Sequence, residues 1–228
     1  MTLVTIRQPG FLPYLGFFKK ILSSDIFVYL DDAQYAIRSW DNRNKIRVND
    51  NSAWITVPVL HPFGKKLNEV EISYSKNWIE DHKNAIESNY KNTPYFKSYW
   101  FEIESILNKR WTKLVDLNLS LIEFCNKNLG ITTKTIRSSE LNVSTMATQR
   151  LYDICKKIDA TVYRSGIMGN EYLDESVFKN GGISVVYENF QHPTYNQLSK
   201  QFIPNLATID LLFCEGENAT KILRDCTN

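Results

Sequence analysis

Apolar positions along the chain fall into short blocks that alternate with stretches of helical spacing. Residues 2–7 and 26–31 are compact apolar runs of the kind found in strands buried on both faces. Between them a Pro/Gly loop, 10–16, runs into a helix near 15–23. Residues 53–59 predict another strand, ended by Pro58. Residues 68–74 alternate Val70, Ile72 and Tyr74, a half-buried strand. In 76–91, Ile79, Lys83, Ile86 and Tyr90 form one helical row beside Trp78, His82, Ala85 and Asn89, so His82 sits at the border of the apolar face. Thr93-Pro94 opens a helix over 94–109, with proline in its first turn. A third helix runs over 113–129 and stops at Gly130, a left-handed cap. The last third alternates again. Strands are predicted at 131–137, 160–164 and 183–187. Helices run from a Ser144 or Thr145 cap to 158, over 171–179, and near 207–214 and 217–225.

Strands alternating with helices predict an α/β fold, a layered, mostly parallel, Rossmann-like sheet. Residues 1–228 read as a single domain, with the helical run 76–130 an insert or lid. A length of 228 residues, 43% hydrophobic and 23% charged, suits a globular protein with a sizeable core. The net charge of +2 gives no reason to expect DNA or an anionic membrane as a partner. No apolar run approaches the ~20 residues of a membrane span, and Arg7, Gln8 and Pro9 interrupt the first run too early for a signal peptide. Cys125, Cys155, Cys214 and Cys226 form no C-x-x-C pair and no zinc spacing, which fits reduced thiols in a cytoplasmic protein.

Charge at the ends of buried strands is where open α/β sheets bind ligands. The loop from Gln8-Pro9-Gly10 to Gly16 opens a helix whose N–H groups could hold an anion, although G-x-G-x-x-G and Walker sequences are absent. Asp31-Asp32 ends the second strand. The pair suits a metal, a sugar hydroxyl or an amine, or equally a cap or an ion pair with Arg43 or Lys45. Gln34, Tyr35, Trp40, Asn42, Arg43, Asn44 and Lys45 follow closely, a set suited to phosphate and sugar hydroxyls. His82 and His192 are candidate bases because imidazole titrates near neutrality, whereas His61 reads as surface. Ser165-Gly166-x-x-Gly169 is a second candidate anion cradle, and Arg137-Ser138-Ser139-Glu140 ends a strand that could line the same crevice.

These segments together resemble the WbqC-like family. The matching pieces begin with Gln8-Pro9-x-x-Leu12-Pro13-Tyr14-x-Gly16 and Ser24-Asp25-x-Phe27-Val28-x-Leu30-Asp31. They continue with Asn42-Arg43-Asn44-x-Ile46, Trp54-x-Thr56-Val57-Pro58-Val59, His82-Lys83-x-x-Ile86-x-x-Asn89-Tyr90 and His192-Pro193-x-Tyr195-x-Gln197. Arg7 stands where many relatives carry histidine, and Thr148 where aspartate is common. The resemblance implies bacterial O-antigen or related surface-polysaccharide (lipopolysaccharide) biosynthesis, with glycine transfer to an amino sugar as the activity.

The expectation is an N-acyltransferase that forms an amide on the amine of a nucleotide-linked amino sugar. His82 would be the base, His192 its substitute, and Asp31 would orient the amine. Gln8, Asp32, Gln34, Tyr35, Trp40, Tyr195 and Gln197 would contact substrate. Asn42, Arg43, Asn44, Lys45, Ser165 and Gly166 would hold the diphosphate or the donor. The activated glycyl donor would be a thioester, on a carrier protein for instance, an aminoacyl-tRNA or ATP-activated glycine. Near-neutral charge weighs against tRNA. No resident metal or cofactor is expected. Two rival readings stand beside this one: a non-catalytic nucleotide-sugar or glycan binding protein, and a metal-dependent hydrolase built on Asp31, Asp32 and His82.

Overall fold

The computed structural model describes residues 1–226. The chain begins with β1 (Leu3–Arg7), α1 (Leu15–Leu22) and β2 (Ile26–Tyr29). A hairpin of β3 (Arg43–Val48) and β4 (Asn51–Thr56) follows, then a two-residue pair, β5 (Val59–Leu60) and β6 (Glu71–Ile72). Three helices come next: α2 (Trp78–Tyr90), α3 (Phe96–Asn108) and α4 (Leu114–Asn128). The rest is β7 (Lys134–Arg137), α5 (Ala147–Lys157), β8 (Val162–Gly166), α6 (Glu175–Asn180), β9 (Ser184–Glu188), α7 (Ile209–Glu215) and α8 (Asn218–Asp225).

Five strands form one all-parallel sheet in the order β7-β2-β1-β8-β9. The side-chain period of two divides each strand between two cores. Phe27 and Tyr29 enter the larger core with α1, α2–α4, α7 and α8. Val4, Ile6, Val28 and Tyr163 enter the smaller one with α5 and α6. Helices therefore cover both faces, the condition under which a parallel sheet is stable. This is the layered, Rossmann-like α/β fold expected. From β1 the chain steps outward through β2 to β7, then returns to β8 and steps the other way to β9. The order reverses between β1 and β8.

Several elements differ from the periodicity reading. Residues 43–48 are a strand, because Asn44 and Ile46 point inward while Arg43 and Lys45 alternate outward. Of residues 53–59, 53–56 pair with β3 and Val59 pairs with Ile72 of β6, all outside the parallel sheet. The expected strand over 68–74 shrinks to a 3-10 turn, Leu67–Glu69, and the two residues of β6. Neither Ser144 nor Thr145 caps α5: Thr145 donates instead to Asp153 Oδ2 at 2.6 Å. The expected helix over 171–179 is a 3-10 turn, Ile167–Glu171, followed by α6, which Asp174 caps by accepting from the Ser176 N–H. Gly130 has φ +63°, the left-handed stop expected after α4. The helices of 76–130 supply much of the larger core, with Ile86, Ile103 and Leu121 fully buried.

Candidate active site

A cleft of about 1000 Å3 opens at the carboxyl ends of the parallel strands. Ile6, Arg7 and Gln8 reach it from the end of β1, Leu30 from the end of β2, and Tyr163 from β8. It therefore lies where the strand order reverses, the place where open α/β sheets leave a crevice between oppositely directed connections. Tyr14, Trp40, Asp41 and Lys45 line it on the side of the first loop and the hairpin, and Met146, Thr148, Arg150 and Tyr172 on the other. No residue of 76–130 is among its lining.

Two loops make the floor, and buried amides knit them together. The Asn44 side chain on β3 donates to the Leu12 carbonyl at 2.5 Å. The Asn118 side chain on α4, fully buried, donates to the carbonyls of Pro9 at 2.8 Å and Asp41 at 2.7 Å. Phe11 N–H donates to the Trp40 carbonyl at 3.1 Å. Gly10 permits this approach, since a Cβ there would stand 2.7 Å from the Trp40 carbonyl oxygen. Gln8 Nε2 reaches the Gln34 carbonyl at 3.2 Å.

Asp41 is 4% exposed and lines the cleft. Burial pushes its carboxyl above the ordinary value. Hydrogen bonds at Ser39 and from the Ala36 N–H, and the nearby Arg7 charge, offset only part of that. Three cations line the cleft: Arg150 pairs with Asp32, while Arg7 and Lys45 have no ion-pair partner among the described residues. Arg150 Nη2 lies 2.5 Å from Asp32 Oδ1, an ion pair by distance that lacks hydrogen-bond alignment. The cleft thus offers two free cations, one buried carboxylate and several aromatic rings.

Of the residues expected from sequence, Gln8, Gln34, Trp40, Asn44 and Lys45 come together in this cleft. The others do not line it. His82 is 5% exposed, packed against Phe11 and Trp78, with Nε2 3.1 Å from the Thr56 carbonyl oxygen. Burial pushes its pKa down to about 4, against the hydrogen bond to Thr56. His192 packs among Phe190, Tyr195 and Phe202, and burial lowers its pKa too. Asp31 is fully buried and accepts from Arg137 Nε at 2.7 Å and from Ser139 N and Oγ at 2.9 and 2.7 Å. Burial raises its carboxyl, but these bonds outweigh burial and hold it below the ordinary value. Asp32 accepts from the Ser138 hydroxyl and faces a separate hollow with Lys66 and Lys113. The Asp pair is thus the strand-end cap, and its partners are Arg137 and Arg150 in place of Arg43 or Lys45.

Tyr35 is buried in the larger core. Asn42 donates to the Val57 carbonyl at 2.7 Å, closing the hairpin. Arg43 lies over the Trp54 ring with its Cζ 4.4 Å from the centroid. Ser165 is buried beneath the turn at Gly169, and Gly166 begins that turn. Tyr195 and Gln197 both donate to Asp210 Oδ2 at 2.8 Å. Among the described residues, no group of three or more His, Cys, Asp and Glu side chains is placed to hold a metal ion, so Asp31, Asp32 and His82 do not form one. No helix among those residues is long and apolar enough to cross a membrane. Sequence reasoning missed Asp41, Arg150, Tyr163 and Asn205 as cleft residues, and noted Arg7 and Thr148 only as departures from the family pattern. The one available signal was that Arg7 ends the first strand.

Residues 8–222 match the profile of the WbqC-like protein family. The uncharacterized protein Rv1507c of Mycobacterium tuberculosis is 34% identical over 230 residues, which cover 99% of each chain. No solved structure matches the chain.

Proposed function

The chain belongs to the WbqC-like protein family, and from that premise we propose that it transfers an acyl group, glycyl, to the amine of a nucleotide-linked amino sugar. The pathway would be assembly of a bacterial surface polysaccharide. One observation carries the reading: two unpaired cations, Arg7 and Lys45, share the switch-point cleft with a single buried carboxylate, Asp41. A sugar nucleotide brings a diphosphate for the cations and a ring system for Trp40 and Tyr14. Its amino group, an ammonium at neutral pH, is the natural partner of Asp41.

Asp41 takes the place first given to His82, which is shut off in the core. A carboxyl raised by burial is a better proton acceptor than an ordinary one. It binds the ammonium, accepts a proton from it, and frees the nitrogen lone pair. The nitrogen attacks the donor carbonyl, the C–N bond forms, and the donor's leaving group departs with the electrons of the broken bond and takes the second proton that the nitrogen sheds as the amide forms. Confinement in one cleft supplies the orientation. Gln8 and Gln34 line the same space, and their side-chain carboxamides suit sugar hydroxyls.

The test is a product assay by mass spectrometry. Purified protein is incubated with UDP-, dTDP- and GDP-linked amino sugars and, in separate arms, a glycyl thioester, glycyl-tRNA, or glycine with ATP. The expected result is a mass gain of one glycyl residue on one amino sugar and none on its non-amino counterpart. Asp41→Asn is expected to slow that turnover by about 100-fold or more. The binding-protein reading is favoured by the lack of any histidine or cysteine in the cleft lining. Tight binding of an amino sugar with no product in any arm would decide for it.

A further inference from the structure

Trp40 and Trp54 leave 45% and 43% of their surface exposed, whereas Trp78 is buried at 3%. Their ring centroids lie 4.9 Å apart with planes at 49°. Two adjoining indoles open to solvent are costly to keep unless something covers them. They come from different segments, Trp40 from the loop before β3 and Trp54 from β4. The hairpin register sets Lys45 opposite Trp54, and Lys45 Nζ and Arg43 Cζ lie 5.1 and 4.4 Å from the Trp54 ring centroid. Trp40 and Lys45 line the cleft, while Trp54 and Arg43 do not. The Trp40 backbone is fixed by the bond from Phe11 N–H and by the close approach at Gly10.

The geometry points to Trp40 as the nucleobase-stacking residue of the cleft, with Lys45 beside it for the adjoining phosphate. Trp54, with Arg43 over its ring, is a positioning residue that supports Trp40 from outside. This rests on the nucleotide-sugar reading above and adds which end of the ligand lies where: base toward the hairpin, amino sugar toward Asp41. The charges favour a base over a sugar at this platform. A pyranose on an indole needs carboxylate or amide groups around its hydroxyls, whereas the groups flanking this indole pair are cations, which match a ring that carries phosphate.

The experiment is calorimetric titration of UDP, dTDP, GDP and inorganic pyrophosphate into wild type, Trp40→Ala and Trp40→Phe, with circular dichroism to verify folding. The wild type is expected to bind at least one nucleoside diphosphate more tightly than pyrophosphate. Trp40→Ala should weaken that nucleotide by about tenfold or more and leave pyrophosphate unchanged, and Trp40→Phe should restore most of the loss. Equal affinity for the nucleotide in wild type and Trp40→Ala, or an equal loss for nucleotide and pyrophosphate, would overturn the assignment. The two proposals separate cleanly. Glycyl transfer with a KM for the sugar nucleotide that ignores Trp40→Ala removes the stacking role and leaves the transferase. Trp40-dependent nucleotide binding without glycyl transfer does the reverse.

Discussion

Asp41 carries opposite consequences for stability and for chemistry. Its folded pKa is raised by burial, so its stabilising contribution is complete below the unfolded value of about 3.9 and is lost as pH rises through the folded value. Asp41→Asn is therefore expected to melt at a higher temperature than wild type at neutral pH while losing turnover, a trade typical of functional sites. Thermal melts of the two proteins check this, and a lower melting temperature for the variant would count against burial as the cause of the shift. His82 runs the other way. Its pKa falls from 6.5 to about 4, so its contribution is present above 6.5 and is lost as pH falls toward 4. At ~1.4 kcal/mol per pH unit, the loss across that window is about 3 kcal/mol. His82→Gln, which keeps a donor for the Thr56 carbonyl, should flatten the pH dependence of urea denaturation in that range. Sequence placed His82 at the border of an apolar face, whereas it lies in the buried row of α2 with Trp78, Ile86 and Tyr90. Sequence could not show that Phe11 closes over the ring, because that contact depends on how the first loop meets α2, whereas Trp78 is a neighbour one turn earlier on the same helix.

At the scale of elements, the helices of 76–130 serve the cleft without lining it. Asn118 on α4 holds the carbonyls of Pro9 and Asp41 from below. Asn118→Ala leaves both buried acceptors unpaired, at about 1–3 kcal/mol for each, and frees the loop that presents Asp41. The expected outcome is a lower urea midpoint together with a reduced kcat, and full activity in the folded variant would contradict the link. Gly10→Ala tests the same floor from the other side, because its Cβ would meet the Trp40 carbonyl oxygen at 2.7 Å. Backbone must shift to relieve that, so weaker nucleotide binding is expected, measured by titration, with about 1–3 kcal/mol lost in stability. The three helices of 76–130 were legible in the sequence from their spacing, to within two residues at each end. β3 was not, since Asn42-Arg43-Asn44-Lys45 reads as a polar cluster. Asn44 is buried there because the Leu12 carbonyl takes its amide, a partner far away in sequence.

At the scale of the whole molecule, five of the seven strand blocks expected from sequence make the parallel α/β sheet, the blocks at 53–59 and 68–74 lying outside it. Their order, β7-β2-β1-β8-β9, was not readable from periodicity, and that order puts the cleft beside Arg7. Arg7, Asp41 and Arg150 come from three distant segments, so no local spacing links them. All four cysteines are free and buried, and burial pushes the thiols of Cys155 and Cys214 up to about 12. Native protein should therefore resist Ellman's reagent, and all four thiols should react once it is unfolded in urea. Fast labelling of the native form would show that the cores open readily. The site itself is tested most directly by titrating UDP, dTDP and GDP into wild type, Arg7→Gln and, as a control outside the cleft, Lys76→Gln. If the switch-point cleft takes the diphosphate, one nucleotide binds wild type and Lys76→Gln alike, and Arg7→Gln weakens it by about tenfold or more, as loss of a charge-assisted contact would. Equal binding by Arg7→Gln, or no binding of any nucleotide by wild type, would contradict a nucleotide site in this cleft.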